Sequence, residues 1–446
     1  MSEKPKAKKS SVRHTRAIQR DRTKHQNTAA PDEVTTERLM EIVHPATLNQ
    51  VAHFYDLGLR ARVLNLPVMM AFVLSLIWRQ LGSVTETVRT LNREGLLWVN
   101  ERQVSQQAVE QRFSTLPAVL FERVLQEVLP LMAARWANRT RPLPPALQWS
   151  RDHFTSVVAL DGSTLDTLLR KTGLLREGKD PILAGRMAGL LDVITRLPRQ
   201  IWYEEDQQAH DQRFWDRALA HLQPGMLLLF DLGFLNFPRF DALTDAGVWF
   251  LTRKEERTVT STQQVLRKTD TLRDQIVRLG SSKASQCAHL VRLVEWQHHG
   301  TWYRYLTNVL DPTMLPAEYV VALYWQRWRI EDSFNVIKRL LGLAYFWTGS
   351  INGIQIQVWA TWILYAVLVD LTDAVAEALN RPFHALSMEM IYRGLYHFTV
   401  ARHRGKADDP IAYLAADAEG LGIIKRQRKN RGAATALLYL TIHGNP

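Results

Sequence analysis

The chain has two textures. From residue 33 to 150 apolar residues recur at helical spacing, and from 151 they gather into short runs that end in Asp or Gly. In the first stretch Thr35-Thr36-Glu37-Arg38 predicts a helix start, and Leu39–Val51 continues it. Pro67–Leu81 predicts a second helix. Ser83-Val84-Thr85-Glu86 is a capping-box pattern that opens a third, which stops near Gly95. After Leu96–Val99, the segment Val104–Phe113 predicts a fourth, with Ser105 as its cap. Pro142, Pro144 and Pro145 mark 139–149 as a linker.

In the second stretch Ser156–Leu160 is an apolar run that ends in Asp161-Gly162-Ser163. Met187–Thr195 and Gln200–Glu205 predict the next two strands. A helix over Asp211–Leu222 follows, then the strand Met226–Phe230, which runs into Asp231-Leu232-Gly233. A helix over Phe237–Ala246 leads to the strand Val248–Thr252. The order β-β-β-α-β-α-β predicts a mixed α/β layout with a buried central sheet and an Asp at the end of its first and fourth strands. Residues 253–315 are polar, with strand-like segments at Ala288–Glu295 and Trp302–Val309, and read as a small β insertion. Ala317–Gly342 predicts one helix, 351–379 a long apolar helix, and the remainder short helices with a basic cluster, Lys425–Arg431. The most apolar runs, Pro67–Trp78 and Val358–Val369, are shorter than the ~20 residues that span a bilayer. Arg79 and Asp370 close them, so both read as buried helices.

Charge narrows the partners. The 446 residues carry a formal charge of +12, which points to a polyanion: nucleic acid first, a membrane surface second. Residues 1–32 hold nine Lys and Arg between Lys4 and Lys24 with almost no apolar residue, and read as a disordered basic arm. The single cysteine, Cys287, excludes an intrachain disulfide and a Cys-based zinc site and fits a reducing cytosol. No secretory signal pattern follows the basic N-terminus. With this charge, the helix, break and polar helix ending at Phe113 resemble a helix-turn-helix. Gln106, Gln107, Gln111 and Arg112 are side chains that read base edges. An ordinary helical hairpin with a solvated second helix is the alternative.

The chemistry centres on Tyr324–Lys338, YWQRWRIEDSFNVIK. Tyr324, Arg327, Glu331 and Lys338 fall within roughly 60° of one another on a helix, beside an apolar stripe of Leu323, Ile330, Phe334, Ile337 and Leu341. By itself this is also what a solvated face with an Arg327–Glu331 pair looks like. Asp161 and Asp231 alter the balance. Acids at the ends of two neighbouring buried strands point to one place, and a helix beside them adds Glu331. Each Asp alone is ordinary turn chemistry. Three carboxylates without His or Cys suit hard ions, Mg²⁺ or Mn²⁺. The adjacent His298 and His299 point to different sides and lack a third soft ligand, so they are not read as a metal site.

These residues resemble the DDE transposases of the insertion sequence 4 family. Tyr324, Arg327, Glu331 and Lys338 match that family's Y-x2-R-x3-E-x6-K motif, and Asp161 in LDGSTL and Asp231 in FDLGF resemble its first two acids. The resemblance covers roughly residues 35–380. It implies an α/β ribonuclease-H-like catalytic domain (151–252 and 316–380) with a β-strand insertion (253–315). An all-helical N-terminal DNA-binding domain (33–150) precedes it and a short helical C-terminal region (381–446) follows. It further implies that Asp161, Asp231 and Glu331 are catalytic and hold two Mg²⁺ or Mn²⁺ ions. Arg327 and Lys338 would hold phosphates, with Tyr324 beside them. The function implied is cut-and-paste transposition: nicking at terminal inverted repeats, a hairpin step, and joining of the 3′-OH to target DNA by a homodimer in a bacterial cytoplasm. Trp302 is the better match to the family's base-stacking tryptophan and Trp296 the second; either also suits a small core of the insertion. Arg253 and Lys254 stand where the insertion begins and are placed to touch DNA or solvent. A catalytically silent DNA-binding relative and a plain nuclease of the same fold are the competing functions.

Overall fold

The computed structural model describes residues 32–60, 62–166, 183–206, 211–234, 236–281, 286–298, 300–343 and 346–425. Residues 1–31 of the basic arm, His299, and the 426–431 part of the basic cluster lie outside the described residues. Among the described residues seven helices come first: α1 Asp32–Asn49, α2 Val51–Asp56, α3 Leu66–Trp78, α4 Val84–Arg93, α5 Gln106–Thr115, α6 Val119–Ala137 and α7 Pro145–His153. Ser83 and Ser105 cap their helices, while the Glu86 side chain of the expected capping box accepts from Arg89 at 3.0 Å. Ser83 Oγ accepts from the Glu86 amide at 3.2 Å, and Ser105 Oγ from Ala108 at 3.2 Å. Where a linker was expected at 139–149, Pro145 instead starts α7. Proline suits the first helical position, where its missing N–H has no partner to lose.

Among the described residues nine strands form one sheet: β1 Ser156–Asp166, β2 Leu183–Asp192, β3 Pro198–Glu204, β4 Met226–Phe230, β5 Trp249–Arg253, β6 Thr260–Lys268, β7 Leu272–Leu279, β8 Val291–His298 and β9 Thr301–Thr307. Their spatial order is β3-β2-β1-β4-β5-β9-β8-β7-β6. β1, β4 and β5 run parallel; β2 and β3 pair antiparallel on one side. The polar segment after β5 builds no separate sheet. β9 pairs antiparallel with β5, and β8, β7 and β6 follow outward.

Between β3 and β5 lie α8 Trp215–Leu219 and α9 Phe237–Asp245; after the sheet come α10 Ala317–Gln326, α11 Trp328–Asn335, α12 Ile351–Ala378, α13 Met388–His403 and α14 Pro410–Ala416. The sheet divides two cores, and β4 shows how. Leu227 and Leu229 enter the core shared with α10–α12, while Leu228 and Phe230 enter the core with Trp215, Phe240 and Leu243. Successive strand side chains point to opposite faces, so a strand covered on both sides is apolar throughout. α12 is long and apolar enough to cross a membrane by length and composition, longer than the Val358–Val369 run suggests. It is the core helix, with 94% of its most apolar window buried.

α12 carries two buried acids. Asp370 takes Arg38 of α1 at 2.7 Å and Arg139 at 2.7 Å, and Asp373 takes Arg139 at 3.1 Å and also Arg141. The first helices are thereby tied to α12 by buried charge as well as by packing.

Candidate active site

Strand parity places the two aspartates. Val157 and Ala159 of β1 and Leu227 and Leu229 of β4 face the α10–α12 core. Two residues further along each strand come Asp161 and Asp231, so both leave the sheet on that same face. The parallel register pairs Leu160 with Phe230, which sets Asp161 and Asp231 side by side. Gly189 of β2 lies opposite Asp161. A Cβ at Gly189 would stand 3.7 Å from Ile330 and from Phe334 and 3.0 Å from Ile201. Glycine there lets α11 settle close over the sheet beside Asp161.

The Ala317–Gly342 segment expected as one helix is divided. At Arg327 the backbone bonds shorten to three-residue spacing, with Arg327 N to Tyr324 O at 3.0 Å and Ile330 N to Arg327 O at 3.1 Å. This tight turn separates α10 from α11. After α11 the chain widens into a π turn over Val336–Leu340, closed by Leu341 N to Val336 O at 3.0 Å. Side-chain periodicity is blind to both changes, because neither interrupts the apolar stripe. Wide turns of this kind often occur at functional positions.

All four polar residues of the motif nonetheless meet the sheet or each other there. Tyr324 donates its hydroxyl to Asp231 Oδ1 at 3.2 Å. Arg327 Nη1 donates to Asp161 Oδ2 at 3.1 Å, and Nη2 to Glu331 Oε1 at 2.9 Å. Lys338 Nζ donates to Ser163 Oγ at 2.6 Å and to the Thr164 carbonyl. Asp161 Oδ1 accepts from the Gly162 amide at 2.8 Å. Ser163, which sequence reading did not single out, follows Asp161 by two residues in β1 and so shares its face.

Burial sets the electrostatics. Arg327 is 3% exposed. Burial alone would lower its pKa, but Tyr324, Asp161, Asp231 and Glu331 surround it and the net shift is upward. Burial raises the Glu331 carboxyl; Arg327 opposes this and Asp231 reinforces it. Burial likewise pushes the Tyr324 phenol up, against Arg327 and Arg253. Asp161 and Glu331 are therefore held together by one guanidinium rather than directly. Among the described residues no three Asp, Glu, His or Cys side chains gather closely enough to hold a metal ion. The ready-made three-carboxylate cage expected from sequence differs in this respect, and Arg327 between two of the acids is the reason.

The remaining residues singled out by sequence are spread more widely. Arg253 ends β5 and is exposed. It pairs in register with Tyr305, whose ring lies 5.1 Å from that of Tyr324. Trp302 lies three residues further out on β9, half-buried, with the Arg273 guanidinium 4.5 Å over its ring. Trp296 is partly buried against the α10–α12 core. Lys254 Nζ donates to the Glu255 carbonyl at 3.2 Å. On α5, Gln107 is exposed. Arg112 turns inward and donates to the Leu64 carbonyl at 2.9 Å, so it packs α5 rather than projecting from it. A cavity of about 470 Å³ lined by Glu122, Asp192, Arg199 and Trp359 lies toward the start of β1, away from the carboxylates.

Residues 152–367 match the family model described as "Transposase DDE domain". Asp161, Ser163, Asp231, Tyr324, Arg327, Glu331 and Lys338 all fall inside that span. A protein of Sinorhizobium fredii (strain NBRC 101917 / NGR234) named "Putative transposase y4zB" is 30% identical over 173 residues, which is 37% of this chain and 46% of the relative. The chain thus spans about half the length of the curated relative it matches. A solved structure described as "Cryo-EM structure of piggyBac transposase synaptic complex with hairpin DNA (SNHP)" aligns over 91% of this chain and 87% of its own at 11% identity, with a TM-score of 0.37.

Proposed function

We propose that the chain is a DNA transposase of the DDE type, built on a ribonuclease-H-like core, and that it resembles the insertion sequence 4 group. The observation that carries this is the meeting of Tyr324, Arg327, Glu331 and Lys338 with Asp161 and Ser163 of β1 and with Asp231 just after β4. The strand order β3-β2-β1-β4-β5, in which only β2 runs against the other four, supports the ribonuclease-H-like reading. The matched transposase DDE domain supports the activity.

The donor set fits a divalent metal, because all three acids offer only hard oxygens and two stand on adjacent strands. Asp161, Asp231 and Glu331 would hold two Mg²⁺ or Mn²⁺ ions. Bound there, such ions supply Lewis-acid stabilisation of the attacking and leaving oxygens in an in-line phosphoryl transfer. Tyr324 orients Asp231 through its hydroxyl. Lys338 fixes the β1 end through Ser163 and Thr164 and sets a positive charge beside the scissile phosphate. Arg327 offers a planar fork that suits two phosphate oxygens. Trp302, once Arg273 leaves its face, is the stacking platform for a flipped base in a hairpin step. The helices of 33–150, with Gln107 outward, bind the terminal repeats, Arg253 adds a phosphate contact, and a homodimer brings two ends together.

The test is a labelled duplex carrying the flanking repeats, incubated with protein and Mg²⁺ and resolved on a denaturing gel. A nick followed by a double-length hairpin strand, lost in Asp231→Ala with DNA binding retained, is the expected result. Nicked and joined products without a hairpin would remove the role of Trp302. Shifted but uncut DNA at every metal concentration would replace transposition with a silent DNA-binding function.

A further inference from the structure

We infer that Arg327 is a gate that couples the carboxylate site to DNA: a DNA phosphate that draws the guanidinium away frees Asp161 and Glu331 for a divalent ion. This rests on the reading of Asp161, Asp231 and Glu331 as metal ligands given above.

The geometry makes the two cations exclusive. The guanidinium donates to Asp161 at 3.1 Å and to Glu331 at 2.9 Å, so it fills the space between the oxygens that a shared ion would use. Like charges cannot occupy that space together. The bridge is also incomplete as a structural pin. Arg327 Nε is buried and finds no acceptor among the described residues. Arg292 shows what a completed pin looks like in this protein. Its Nε and Nη2 grip Asp274 at 2.7 and 2.6 Å, and its Nη1 donates to the Leu315 carbonyl at 2.6 Å. Every edge of that fork is used, and the side chain is fully enclosed. Arg327 has an edge to spare, and a phosphate supplies several acceptor oxygens for a fork.

There is also somewhere for it to go. The Trp328 ring lies 5.0 Å from the Arg327 guanidinium and is 45% exposed. A guanidinium that leaves the acids turns outward past that ring, which changes the cation–aromatic contact and with it the surroundings of the indole. Linkage then fixes the sign. If a metal ion and Arg327 compete for Asp161 and Glu331, a phosphate that takes Arg327 must tighten metal binding, and metal must tighten DNA binding by the same factor.

The experiment is Mn²⁺ binding to the full chain, read by the electron paramagnetic resonance signal of free Mn²⁺, with and without a short duplex at low salt. Only Mn²⁺ that Asp231→Ala removes is counted. For the wild type the duplex is expected to tighten Mn²⁺ on the order of tenfold. Arg327→Gln is expected to bind Mn²⁺ tighter than wild type by a similar factor without DNA, and to gain nothing from the duplex. If Arg327→Gln binds no tighter, or still responds to the duplex, the gate is wrong and the ligand reading stands. If no Mn²⁺ binding depends on Asp231, the ligand reading fails and the gate with it. A second measurement needs no Arg327 variant. The difference in fluorescence between wild type and Trp328→Phe is expected to change on adding Mg²⁺, and an unchanged difference would overturn the gate even if Arg327→Gln failed to fold.

Discussion

At the scale of single residues, the site is a set of unlike donors serving unlike acids, and removal of each has its own signature. Tyr324→Phe keeps the ring against Tyr305 and loses only the hydroxyl donated to Asp231. A hydrogen bond of that kind is worth about 0.5–1.5 kcal/mol, so nicking in a single turnover is expected to slow by roughly 2- to 10-fold with the melting temperature nearly unchanged. Lys338→Met is expected to be harsher, because a charged donor to Ser163 and Thr164 disappears. Charged hydrogen bonds contribute about 1.5–3 kcal/mol, which corresponds to a nicking rate roughly 10- to 100-fold lower. Equal nicking by both variants would mean that the lysine serves only to pack the end of β1.

At the scale of elements, the site depends on how closely α11 lies over the sheet, and Gly189 sets that distance. Gly189→Val adds atoms where Ile201, Ile330 and Phe334 already stand. Overpacking of this kind costs about 1–3 kcal/mol, expected as a lower urea midpoint together with slower nicking. Gly349→Ala, where an added carbon meets nothing within 4 Å, is the control expected to leave both alone. The same elements show what sequence does and does not carry. The β1 and β4 runs were legible because buried strands are apolar throughout and the Asp that closes each apolar run is conspicuous, although β1 does not end at Asp161 as expected but runs on to Asp166 in pairing with β2. The motif helix was legible as helix, but not its division at Arg327 or its wide turn at Val336–Leu340. Both are changes in backbone hydrogen bonding that leave the side-chain pattern intact. The start of α7 was hidden because proline marks a helix's first turn as readily as a loop. Arg112 looked like a surface base reader because its acceptor, the Leu64 carbonyl, belongs to a distant part of the chain. The joining of β9 to β5 was not legible either, since strand pairing across 253–315 leaves no mark in local composition.

At the scale of the whole molecule, the first helices and the α12 core helix are held as one body by Asp370 and Asp373. Asp370→Ala would leave Arg38 and Arg139 without their shared carboxylate. Loss of one partner from a buried charge cluster costs about 3–5 kcal/mol. The expected result is a large fall in the unfolding midpoint, with early proteolysis in the helices before β1, whereas a change below about 1 kcal/mol would show the cluster to be solvated. The same cluster has a consequence in time. Arg38 and Asp370 are 332 residues apart in the chain. At about 5–20 residues per second, a ribosome needs roughly 20–70 s to make the second after the first. Throughout that interval the apolar α3 helix waits in the nascent chain without the helix it is built to cover, which makes it the stretch that a holding chaperone would be called on to shield.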